Sequence, residues 1–170
     1  MSLSMSSASV PVFVRMLDGL AAWLDKAEAH AQARKFDPDV LAGVRLAPDM
    51  LPFASQVRIA CDSAKFAVAR LAGEEAPKFA DDEGTLAELK ERVRRTLDYV
   101  RSVAPGRIDG SEERDIVVPR RGEPVTMQGE AYLKHFALPN FFFHVTTAYA
   151  LLRHNGVELG KADYLGGGPR

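Results

Sequence analysis

Four stretches of the chain set apolar residues at steps of three and four. Val10, Phe13, Val14, Leu17, Leu20, Leu24 and Ala27 carry the first, up to about Arg34. Phe53, Val57, Ala60, Cys61, Ala64, Val68 and Leu71 form the second, closed by Gly73, and Leu86, Leu89, Val93, Leu97 and Val100 form the third. The fourth runs from about Glu130 to Asn155, with Phe136, Asn140, Phe143, Thr147, Ala150, Leu151 and His154 on one side. That period predicts four α-helices, each with one buried face. The stops and starts agree. Thr85 with Glu88 three residues later reads as a capping box, Asp37-Pro38 as an N-cap and first helical position of a short turn ending near Gly43, and Asn155-Gly156 as a left-handed helix end. Pro105-Gly106 stops the third helix, and Pro139 bends the fourth. Met1 to Ser7 reads as a loose lead-in, and residues 45–52, with two prolines, as a restricted entry to the second helix.

Between the third and fourth helices the pattern changes. Asp115 to Pro119 and Pro124 to Met127 flank Arg120-Arg121-Gly122-Glu123, which predicts a small hairpin with a solvated turn. Residues 157–168 read as a loop that Tyr164 and Leu165 pin to the rest. Each apolar stripe must be covered by another, so the expected fold is all-α: an up-and-down four-helix bundle with a β-hairpin between helices 3 and 4, one domain over residues 1–170.

Composition narrows the function. In 170 residues, 22 basic side chains face 23 acidic ones, a net charge of −1. That balance lacks the excess that phosphate neutralisation requires, so nucleic acid is not an expected partner. The lone Cys61 rules out an intrachain disulfide and is read as core filler in a reducing, cytoplasmic setting. No run of about 18 uninterrupted apolar residues occurs, so neither a membrane span nor an export signal is expected.

The candidate chemistry centres on His144. A helix-borne metal site needs ligands three or four residues apart, and none of His30, His135, His144 and His154 has such a partner; Ala148 stands four residues after His144. Two readings stay open, a hydrogen-bonded core histidine or a functional one facing Asp49 and Gln56, which would share a face of the second helix with Ser63. Asp49 is alternatively a cap for that helix. Asn140 and Thr147 climb neighbouring turns beside His144. Asp62, Lys65 and the charged residues Lys90, Glu91, Arg92, Arg94, Arg95 and Asp98 are expected to be solvated.

Three blocks in order, residues 45–57, 139–149 and 159–166, resemble an uncharacterised bacterial family of domains of unknown function grouped with the DinB/YfiT-like putative metalloenzymes. The resemblance spans nearly the whole chain. It implies a four-helix bundle, dimeric in some relatives, and a divalent metal held by three histidines, one from the second helix and a close pair on the fourth. Here His144 is the only one of that set, so the expected activity is small-molecule binding or interaction without the usual metal site. The rival is a metal-assisted or thiol-dependent transferase or isomerase using His144 and Asp49, with zinc or nickel as the ion to test. A homodimer is expected, because Trp23 and Phe66 add apolar positions outside the stripes. The ligand site is expected in a cavity near one end of the bundle, with His144 in reach of Asp49 or Gln56, lined also by Asn140 and Thr147.

Overall fold

The computed structural model describes residues 3–120 and 122–166. Four long helical segments form its body: α1 (Met5–Arg34), α2 (Phe53–Ala72), α3 (Leu86–Ser102) and α6 (Leu138–His154). Single turns of helix lie at α4 (Pro105–Ile108), α5 (Gly129–Tyr132) and α7 (Lys161–Tyr164), and a 3-10 turn at Pro38–Gly43. Strands β1 (Asp115–Val118) and β2 (Val125–Gln128) pair antiparallel as predicted, with Ile116 opposite Met127 and Val118 opposite Val125. Ile116 and Val118 are buried while Val117 faces out, so the alternation of the strand sets one face onto the helices. Arg120 is exposed in the hairpin turn, and Arg121, like the end of the glycine run at Gly167 and Gly168, lies outside the described residues.

The helix starts follow local chemistry. Thr85 and Glu88 make the expected box: the Thr85 hydroxyl accepts from the Glu88 N–H at 3.2 Å and the Glu88 carboxylate accepts from the Thr85 N–H at 2.9 Å. Asp37 caps the 3-10 turn by accepting from the Asp39 N–H at 3.0 Å. The lead-in is not loose: Ser4 and Ser7 cap each other reciprocally, so α1 begins at Met5, five residues before the first stripe residue named from the sequence. Pro105 does not merely end α3 but opens the one-turn α4. The fourth segment is continuous but not uniform, because Leu133–Ala137 widen into a π turn between α5 and α6. Pro139 supplies the cause: its ring would collide with the carbonyl four residues back in a regular α-helix, and the wider turn gives it room.

Side-chain pairings fix the helix directions. Asp18 meets Arg101 at 2.8 Å and Glu28 meets Lys90 at 2.6 Å, so α1 and α3 are antiparallel. Phe13 packs on Phe141 and Trp23 on Tyr149, so α1 and α6 are parallel. Asp62 pairs with Arg92, and Glu74, just past α2, with Tyr99, so α2 and α3 run the same way. This corrects the alternating up-and-down order. Residues 73–85 span roughly 40 Å when extended, against about 30 Å for the 20-residue α2, which is long enough to carry the chain back to the start of α2 before α3 begins. α2 therefore packs between α3 and α6, and α1 also touches α3 and α6.

Of the two apolar positions expected outside the stripes, one is buried and one is exposed. Trp23 is 1% exposed, because Lys161–Tyr164, within the stretch read as loop, form a helical turn that packs on it. Tyr164 stacks on Trp23 with ring centroids 5.7 Å apart and bonds Thr146 at 2.7 Å, while the Trp23 N–H donates to the Asp163 carbonyl at 3.3 Å. Leu165 contributes its carbonyl, which accepts from Arg15 at 2.9 Å, but leaves its side chain exposed. Phe66 is exposed, but onto a cleft of its own chain. Trp23, being buried, no longer argues for a homodimer. By length and composition α1 could cross a membrane, with a mean hydropathy of 1.2, yet Phe13, Leu17, Leu20 and Leu24 are fully buried in the core it shares with the other helices.

The charged residues expected at the surface are divided. Arg94 and Asp98 are solvated, but the Arg92 side chain is 0% exposed and Lys65 nearly as buried. Arg92 bonds the Ala80 carbonyl at 2.7 Å, Glu83 at 2.9 Å and Asp62 at 2.8 Å; Lys65 also reaches Asp62, at 2.7 Å. Phe79 lies under both cations. The reason is that α3 packs on two neighbours, so its buried surface is wider than one stripe, and Arg92 falls on the side turned to α2. Cys61, beside this network, is buried, and burial pushes its thiol up to about 12.

Candidate functional site

Gln56, Ser63 and Arg70 stand two turns apart on one line of α2. Each meets a polar group of the segment running the other way. The Gln56 carbonyl oxygen lies 2.7 Å from His144 Nδ1, Asn140 donates to the Ser63 hydroxyl at 2.7 Å, and Arg70 donates to the Tyr132 hydroxyl at 3.1 Å. These three rungs make a polar seam through an otherwise apolar helix interface.

The protonation state of the first rung follows from its neighbours. The Leu51 carbonyl can only accept, and the Gln56 amide nitrogen donates to it at 3.0 Å. The Gln56 oxygen therefore faces the ring and accepts from Nδ1–H. Nε2 is left as a lone pair with no partner among the described residues. His144 is 9% exposed, and burial pushes its pKa below the ordinary 6.5. The ring is thus neutral in the fold at neutral pH. As pH falls below about 6.5 the unfolded chain takes up a proton that the folded ring resists, so stability is full above that value and declines below it. Comparing urea unfolding at about pH 7 and about pH 5 should show a smaller acid loss in His144→Gln than in the parent. Equal losses would show that burial of the ring does not contribute.

The other residues expected beside His144 fare differently. Asp49 is exposed on a turn before α2, whose N-cap is Pro52 with no side-chain bond, so Asp49 neither caps the helix nor shares its face. No hydrogen bond or ion pair joins it to His144 among the described residues. Thr147 commits its hydroxyl to the Phe143 carbonyl at 2.7 Å. Asn140 is in the seam but opens onto a cleft that His144 and Gln56 do not line. His30 packs edge-on to Phe36, while His135 and His154 are exposed.

That cleft, of about 420 Å³, lies between α2, the π turn and the hairpin. Phe66, Phe136, Val118 and Pro119 give it apolar walls; Arg70, Tyr132, Ser63 and Asn140 give it polar points. The π turn is what brings Phe136 and Ala137 to its floor. Both volume and lining are those of a small-molecule site.

A family described as a domain of unknown function, DUF1993, matches residues 5–165. The chain belongs to the DUF1993 family. Among solved structures, the crystal structure of a DinB family member protein from Shewanella denitrificans is 44% identical, with a TM-score of 0.86 over 97% of this chain and 93% of that one. The DUF1993 chain is therefore a DinB-like, mostly helical domain carrying a small two-stranded antiparallel sheet. No curated protein matches it.

The three-histidine metal centre implied by the DinB resemblance does not fit these side chains. His144 offers Nε2 alone, its neighbour Gln56 is spent on Leu51 and on the ring, and no group of three His, Cys, Asp or Glu among the described residues is placed to hold an ion. Periodicity places Phe136 on the fourth stripe but does not mark it as a site residue, and it marks neither Arg70 nor Tyr132. Carrying the Gln56–Ser63 step one further would have reached Arg70. Nothing in the pattern marked Tyr132, because the π turn shifts it out of helical phase with Asn140.

Proposed function

We propose that this DUF1993 chain is a cytoplasmic small-molecule-binding protein built as a DinB-type four-helix bundle, working without the three-histidine metal centre of better-studied relatives. The supporting observation is the cleft between α2, the π turn and the hairpin, where five polar side chains, Asp62, Ser63, Arg70, Tyr132 and Asn140, converge among apolar walls. His144 is a neutral, hydrogen-bonded member of the seam behind it, positioning Gln56 at the start of α2. The metal-assisted alternative needs Asp49 at the ring, and Asp49 is on an exposed turn.

Proton–nitrogen NMR correlation spectra of the full chain, titrated with a fragment library, test the proposal. Hits should shift amides of residues 59–70, 118, 132–138 and 140 together. Hits confined elsewhere would count against it. So would stoichiometric zinc or nickel in protein purified without chelator and lost on His144→Ala.

A further inference from the structure

We propose that the cleft takes a small apolar carboxylate, its acid group held by Arg70 and Tyr132 and its body against Phe66, Phe136 and Val118; this rests on the reading of the cleft as a binding site. Charge is the first argument. Asp62 is the one acid among the lining side chains, and its Oδ1 is held by Lys65 at 2.7 Å and Arg92 at 2.8 Å. No carboxylate lies within 4.0 Å of the Arg70 nitrogens among the described residues. A second guanidinium, Arg120, lies over the Phe136 ring at 5.8 Å. The cleft thus presents uncompensated positive charge.

Geometry is the second. Arg70 sits 5.1 Å from the Phe66 ring and 5.8 Å from the Tyr132 ring, so its planar head is held between aromatic neighbours before any ligand arrives. One of its five N–H groups goes to the Tyr132 oxygen at 3.1 Å. Because that oxygen accepts, the phenol proton is free to donate. Burial raises the Tyr132 pKa above its ordinary value, so the phenol stays protonated at neutral pH. A guanidinium and a phenol pointing into one apolar space match the two oxygens of a carboxylate. A neutral amide can accept from the guanidinium but brings no charge to balance it, and an amine would be repelled.

Calorimetry and NMR on the full chain with octanoate, octanamide and octylamine test this. Octanoate should bind tightest, with cleft amides shifted and affinity falling as salt is added. Arg70→Met should weaken octanoate by about 10- to 100-fold while weakening octanamide far less; retained octanamide binding also shows that the variant's cleft is intact. Tyr132→Phe, which keeps the ring, should weaken octanoate by roughly 3- to 10-fold. Octanamide or octylamine binding as tightly as octanoate, or octanoate indifferent to Arg70→Met, would overturn the carboxylate assignment and leave the cleft as a site for another class. If none of the three shifts a cleft amide, both the assignment and the cleft reading fall.

Discussion

Arg92→Ala should cost the fold about 3–5 kcal/mol, measured by urea unfolding at neutral pH. The guanidinium has no exposed surface and is shared by the Ala80 carbonyl, Asp81, Glu83 and Asp62. Removing it leaves Glu83, whose side chain is 10% exposed, without its cation, and one of its oxygens already lacks a hydrogen bond. Asp62 would keep Lys65. The loss therefore comes from a stranded carboxylate, not from a lost attraction, and a second change tests that distinction: Glu83→Gln in the Arg92→Ala background should restore part of the stability. A loss below about 1 kcal/mol would place Arg92 with ordinary surface pairs and sink the argument. Because the same residues fasten the segment 73–85 across α2 and α3, the variant should also raise amide exchange along that segment first.

Arg92 also shows what could be read from the chain in advance. Periodicity located all four long helices, and capping chemistry placed the starts of α3 and of the 3-10 turn, because both signals are local. Arg92 lies one step from Leu89 and Val93, and whether that step is solvated depends on how many neighbours α3 has, which no window of sequence contains. The parallel run of α2 and α3 was hidden for the same reason: residues 73–85 are long enough for either direction. At the site, Gln56 was found at His144 because a seven-residue step and a lone interior histidine are both visible in the sequence. Asp49 neither caps α2 nor reaches its face because Pro52, which cannot donate a backbone bond, takes the N-cap itself and leaves Asp49 on the turn before it. The cleft could not be foreseen, since it depends on a π turn and on a hairpin folding back over α2.

The hairpin's seat on that cleft depends on one glycine. A Cβ on Gly129 would stand 1.9 Å from the Ser111 carbonyl oxygen and 3.0 Å from its carbon. Those are backbone atoms, so no rotamer change relieves the contact. Next to it the Glu130 N–H donates to the Glu112 carbonyl at 2.9 Å, which ties the start of α5 to the strand-leading loop. Gly129→Ala must break this junction or push the loop away, and it should destabilise the protein by about 3 kcal/mol, the upper part of the range for overpacking. The effect should reach the cleft as well. Val118 and Pro119 form its wall and Tyr132, three residues after Gly129, its phenol, so a displaced junction moves both together. Octanoate should then bind more weakly to Gly129→Ala in proportion to the shift of the Val118 and Tyr132 amides. Gly106→Ala, in a helical turn where an added Cβ meets nothing within 4 Å, is the matched control and should neither lower stability nor weaken binding. If Gly129→Ala unfolds with the parent's midpoint, the close approach of these two backbones is not what holds the hairpin over α2.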